Sequence, residues 1–117
     1  MVKIDELPNH RAYQLLQGGV QEMVMNGTLL SVLRTGRSRT PIALVLPLGD
    51  WLEAAQEQYG DSLDWDVYTV SAIKEADLLE HVRDQQPFLM RVAGQDVAVI
   101  VPANEYWRAQ LENGAGE

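Results

Sequence analysis

The chain has 117 residues, 46% of them hydrophobic and 22% charged, and nine basic groups against seventeen acids leave a net charge of −8. That composition is ordinary for a globular chain, and the lack of cysteine removes disulfides, thiolate metal sites and cysteine nucleophiles together. No apolar run reaches the roughly 18 residues of a membrane span, and the opening MVKIDELPNHRAY puts acids where a signal peptide would be basic and then apolar, so a cytoplasmic location is expected.

In chain order, a strand remnant is expected around residues 2–5, followed by a helix over residues 10–26. In that helix Tyr13, Leu16, Val20, Met23 and Val24 recur at helical spacing and Gly27 stands at the C-cap position. The Gly18-Gly19 pair predicts a kink or a close helix contact within it. Residues 28–35 (TLLSVLRT) and the aliphatic run beginning at Pro41 read as two strands joined through the turn at residues 36–40, a β-hairpin. Pro47 ends the second of these strands, because proline offers no N–H to a ladder. A helix then starts near Gly49 and Asp50 and carries Trp51 and Ala54.

The polar stretch at residues 60–64 (GDSLD) is the natural junction. Beyond it, residues 66–70 (DVYTV) form a short strand, and Ser71 caps a helix over residues 73–86 with Ala76, Leu78, Leu79 and Val82 as its apolar stripe. A second hairpin follows, from residues 88–93 (FLMRVA) through a Gly94-Gln95 turn into DVAVIVP, which Pro102 closes. Asn104 then caps a last helix with Glu105 in its first turn, where the macrodipole favours an acid.

The two halves share a register. PIALVLPLGDWLEA lies over DVAVIVPANEYWRA without a gap at an offset of 55, with Ala43/Ala98, Pro47/Pro102 and Ala54/Ala109 identical. The pairs Val45/Ile100, Asp50/Glu105 and Trp51/Tyr106 keep their chemistry. An aliphatic run alone recurs by chance in buried strands; a run followed by proline, acid, aromatic and alanine in one register points to duplication. The expected units are residues 1–60, a degenerate copy (helix–hairpin–helix), and residues 61–117 (strand–helix–hairpin–helix). The expected fold class is α+β.

Residues 66–112 resemble the Phd/YefM (prevent-host-death) antitoxin family through VYTVSAIKEADLLEHV, PFLMRVAGQ and, most specifically, VAVIVPANEY. The first copy is similar through SVLRTGRSRTPIALVLPLGDWLEA. The resemblance implies an α/β domain that dimerises, binds operator DNA as a dimer and neutralises a toxin with a segment after the last helix. A tandem copy would then pack as an intramolecular pseudo-dimer sharing a mostly antiparallel sheet. The family places basic residues early in the first helix for DNA contact; the matching position here is Lys74, followed by Glu75 and Asp77. Only residues 113–117 follow the last helix, which favours a second reading, a scaffold or dimerisation module that has lost DNA and toxin binding.

The search for chemistry gives one cluster. Arg34, Arg37 and Arg39 gather at one hairpin end, where guanidinium groups meet phosphates or an acidic partner; a solvated turn is the bland alternative. Charge weighs against DNA: residues 1–60 hold five basic groups and six acids, residues 61–117 four and eleven. His10 and His81 lie in no catalytic motif, Asp61, Asp64 and Asp66 match no calcium loop, and Gly18-Gly19 is no phosphate loop. No catalytic residue, cofactor or metal is expected. Trp51, Tyr106 and Trp107 are expected at an interface, since adjacent helical positions diverge by about 100° and Tyr106 and Trp107 cannot both face one core. The expected function is thus binding: an antitoxin-like component with a toxin-like protein partner, with operator DNA a further ligand disfavoured by charge, no membrane, and homo-oligomerisation left open.

Overall fold

The computed structural model describes residues 7, 9–11, 26–33, 40–70 and 72–112. The strands are β1 (Asn9–Arg11), β2 (Leu30–Leu33), β3 (Pro41–Pro47), β4 (Asp66–Thr69), β5 (Phe88–Val92) and β6 (Gln95–Pro102). The described helices are α1 (Leu48–Tyr59), α2 (Glu75–Arg83) and α3 (Glu105–Glu112), with one 3-10 turn at Ser62–Asp64. This is an α+β layout around one six-stranded sheet of order β1-β2-β3-β6-β5-β4. The four central strands are antiparallel to one another, and the outer strands β1 and β4 each join in parallel, so the sheet is mixed.

The two aliphatic runs lie side by side at the centre. Ala43 opposes Pro102, Val45 opposes Ile100 and Pro47 opposes Ala98. Residues 43–47 and 98–102 are all buried, because helices cover both faces of the sheet. One face packs Leu30, Val32, Val45, Phe88, Met90 and Ile100 against Ile73 and Leu78 of the α2 region. The other packs Leu44, Leu46, Val99 and Val101 against Trp51 and Ala55 of α1 and Trp107 and Leu111 of α3. Continuous apolar runs, rather than alternating ones, are what a sheet covered on both sides requires. Each fully buried Leu or Phe contributes about 1.5–3 kcal/mol relative to exposure.

The hairpins correspond in detail. Leu30 opposes Val45 as Phe88 opposes Ile100, and both ladders slip at the same place, between Val32 and Leu33 and between Met90 and Arg91. The parallel outer pairings correspond too, His10 facing Val32 as Tyr68 faces Met90.

Several local expectations are corrected. Asn9–Arg11 is a strand, so the expected helix cannot begin at His10; local spacing marks the stripe of a helix but not where the chain first pairs with β2. Residues 12–25, the strand remnant at 2–5 and Ser71 lie outside the described residues. α2 is shorter than expected: it starts at Glu75, where Asp77 turns back to accept the Lys74 backbone N–H at 3.2 Å, and ends at Arg83, with a left-handed Gln85 (φ +55°) just beyond it. α1 starts directly after Pro47, with no side-chain cap. The second hairpin turns at Ala93-Gly94, one residue earlier than expected, with φ of +51° and +80°. Both central residues at positive φ make the two-residue turn that matches strand twist.

Candidate functional site

Two groups of side chains stand out. The first lies where α1 and α3 meet over the sheet. Asn104 caps α3 by accepting the Trp107 backbone N–H at 3.1 Å and donates to Gln85 Oε1 at 2.9 Å, which fixes the start of that helix. Trp107 is thereby turned fully into the core, edge-on to Trp51 at 6.2 Å and stacked on Tyr59 at 6.3 Å. Its indole N–H donates to the Tyr59 hydroxyl at 2.7 Å. Tyr106 stands at the rim, half-buried, its hydroxyl donating to the Ala54 carbonyl at 3.4 Å. All three expected interface aromatics therefore meet where the first half touches the second. Tyr106 and Trp107 diverge as helical geometry requires, yet both contact α1, one at the centre of the contact and one at its edge. Burial pushes the Tyr59 and Tyr106 hydroxyls above the usual phenol range.

The second group lies at the outer end of the sheet. A cleft of about 220 Å³ is bordered by Asp64, Trp65, Asp66, Tyr68, Glu80, His81 and Asp84. β4 and α2 create it: Tyr68 and Asp66 project from alternate positions of the strand toward His81 on the helix. His81, 11% exposed, holds Asp66 Oδ2 at 3.2 Å and the Tyr68 hydroxyl at 3.3 Å through Nε2, and its ring lies 4.8 Å from Phe88. Burial first, and then the carboxylates of Asp77, Asp66 and Glu80, push the Tyr68 hydroxyl above the usual phenol range. His81 Nδ1 and Trp65 Nε1 are buried without a partner among the described residues. Arg83 is drawn to Asp84 at 3.0 Å and holds its carboxyl below the usual range.

Sequence reasoning missed this cleft. His81 lies in no sequence motif; Asp77, one turn before it, accepts the Lys74 N–H at the start of α2, and the histidine reaches Asp66 on the neighbouring strand. Of the expected triplet, Asp61 holds the 3-10 turn through the Leu63 N–H at 3.0 Å, Asp66 holds His81, and Asp64 borders the cleft. No group of three or more His, Cys, Asp or Glu side chains suited to a metal occurs among the described residues. Lys74 is exposed at the start of α2, with Glu75 and Asp77 beside it. Arg34, Arg37 and Arg39 lie outside the described residues. No helix among the described residues is long and apolar enough to cross a membrane. No family model, curated protein or solved structure matches the chain.

Proposed function

We propose that this chain is a binding protein of antitoxin type in which a Phd/YefM-like dimer is fused into one polypeptide. The observation that carries the reading is the register of β3 against β6. A two-fold axis between identical strands makes one residue face its own copy and makes the residues on either side pair crosswise. Val45 and Ile100, 55 positions apart like every matched pair of the repeat, are the directly opposed residues. Ala43 then faces Pro102, the match of Pro47, and Pro47 faces Ala98, the match of Ala43. The resemblance through VAVIVPANEY implies a family that dimerises through this domain, and fusion holds the two units at an effective concentration of order mM, whatever the dilution.

In this reading the partner is a toxin-like protein, and the Arg34, Arg37 and Arg39 turn is the element that would meet operator phosphates. Co-expression of the full chain with the product of a neighbouring toxin reading frame tests it: growth is restored and the two proteins co-purify. A gel shift of upstream DNA, weakened by Arg37→Ala with Arg39→Ala and by added salt, tests the operator branch. Failure of both removes the antitoxin reading.

The acids around Lys74 favour a second reading, a tandem scaffold without DNA or toxin binding. Glu75, Asp77, Glu80 and Asp84 outnumber Lys74 and Arg83 along α2 and its ends, which disfavours phosphate. The scaffold reading predicts no rescue and no shift at any salt concentration.

A further inference from the structure

β4 ends the sheet. It pairs with β5 on one side, and no described strand lies on the other. Asp66, Val67 and Thr69 are exposed, Val67 at 38%, and Leu63 just before the strand is 89% exposed. Natural edge strands are usually blunted by shortness, charge, proline, a bulge or a covering element. β4 is short and opens on Asp66, which is turned to His81, but it has no lysine, proline or bulge, and its pairing with β5 runs without a register shift. Among the described residues its outer backbone edge is open to a further strand, with apolar side chains beside it.

The cleft at the start of β4 says what that strand should carry. Carboxylates of Asp64, Asp66, Glu80 and Asp84 border it; His81 holds Asp66 and Arg83 holds Asp84, while Asp64 and Glu80 are exposed. Trp65 and Tyr68 supply ring surfaces against which the alkyl stem of lysine or arginine packs and over which its cation is attracted. An acidic cleft with aromatic walls, beside an open strand edge, fits one kind of occupant.

We propose that the β4 edge and the adjoining cleft form a docking surface for an extended basic segment of a partner protein. The segment adds to β4 as a strand, and a lysine or arginine enters the cleft. Backbone pairing supplies the register and the carboxylates supply the preference for positive charge. The proposal rests on the reading of this chain as a protein-binding molecule, but not on that partner being a toxin.

A blocked peptide alternating arginine and threonine, titrated into the isotopically labelled full-length protein, tests the surface directly. The expected amide shifts fall on residues 64–70 and 80–86 and fade as salt rises. The double variant Asp64→Lys/Glu80→Lys, at two exposed positions, should bind roughly tenfold more weakly or worse, with its thermal unfolding unchanged. A peptide of the same sequence, N-methylated along one edge, should lose binding to a similar degree. A glutamate–threonine peptide should not bind. Equal binding by the charge-reversed variant, equal binding of the N-methylated peptide, or shifts confined to other strands would each overturn the proposal. So would concentration-dependent self-association of the free chain that Val67→Lys abolishes, because the occupant would then be a second copy. A toxin that binds both the native chain and the double variant with the same affinity would leave the antitoxin reading standing and remove this surface as its site.

Discussion

The Trp107 indole N–H donates to the Tyr59 hydroxyl at 2.7 Å, tying α3 to a residue 48 positions earlier in the chain. Trp107 has no exposed surface, so its indole N–H relies on that acceptor. Tyr59→Phe keeps the ring stacked and leaves the indole N–H unpaired. The expected cost is about 1–3 kcal/mol, read as a lower urea midpoint at an unchanged m-value.

The same residue shapes the alkaline limb of stability. Burial raises the Tyr59 pKa above 10.0, with the Trp107 hydrogen bond only partly opposing it. The folded state therefore holds this proton more tightly than the unfolded chain does. The resulting stabilisation is complete below the unfolded value and is lost as pH rises through the folded one. Urea midpoints should fall above pH 10.0, and fall less steeply in Tyr59→Phe. Tyr68 and Tyr106, shifted in the same direction by burial, supply the decline that remains. Identical slopes in the two proteins would sink this account.

Asn104 is the one described helix cap that works through both ends of a side chain. Asn104→Ala removes the acceptor for the Trp107 N–H and the donor to Gln85, and should lower stability by about 1 kcal/mol. Asn104→Asp keeps the acceptor and should recover most of that loss at neutral pH. Thermal unfolding of the three proteins separates the cap from the Gln85 bond.

Ala93 holds a left-handed conformation, φ +51°, in the second hairpin turn. An alanine there is strained by about 1–2 kcal/mol. Ala93→Asn gives the Asn-Gly pair that this turn favours, so it should stabilise the protein by about 1 kcal/mol. A variant less stable than the parent would mean that the turn is held differently.

Gly60 and Asp61 are exposed between α1 and the 3-10 turn. A chain divided there, co-expressed as two pieces, should reassemble into a one-to-one complex through the β3–β6 ladder and the Tyr59–Trp107 contact. Each piece alone exposes a fully apolar central strand and should fail to accumulate. Recovery of either piece as a stable monomer would argue against a core shared between the halves.

Much of this architecture is legible in the residues. PIALVLP and VAVIVP are apolar at every position, which only a strand covered on both faces tolerates, and each stops at its proline. The Asn104 cap, the junction near Gly60 and both hairpins follow from equally local chemistry. Their ends were less legible: α2 and the Ala93-Gly94 turn are set by hydrogen bonds whose partners compete within one or two residues.

Sequence by itself therefore marked the two central strands, both hairpins and the three described helices, but not strand β1. Tertiary structure alone decided that the two repeated strands are neighbours and that Val45 meets Ile100. It also decided that His81 takes Asp66 as its partner while Asp77 turns to the start of its own helix. Such pairings join residues far apart in the chain. They are selected by burying both faces of the sheet at once, and no window of local sequence contains that condition.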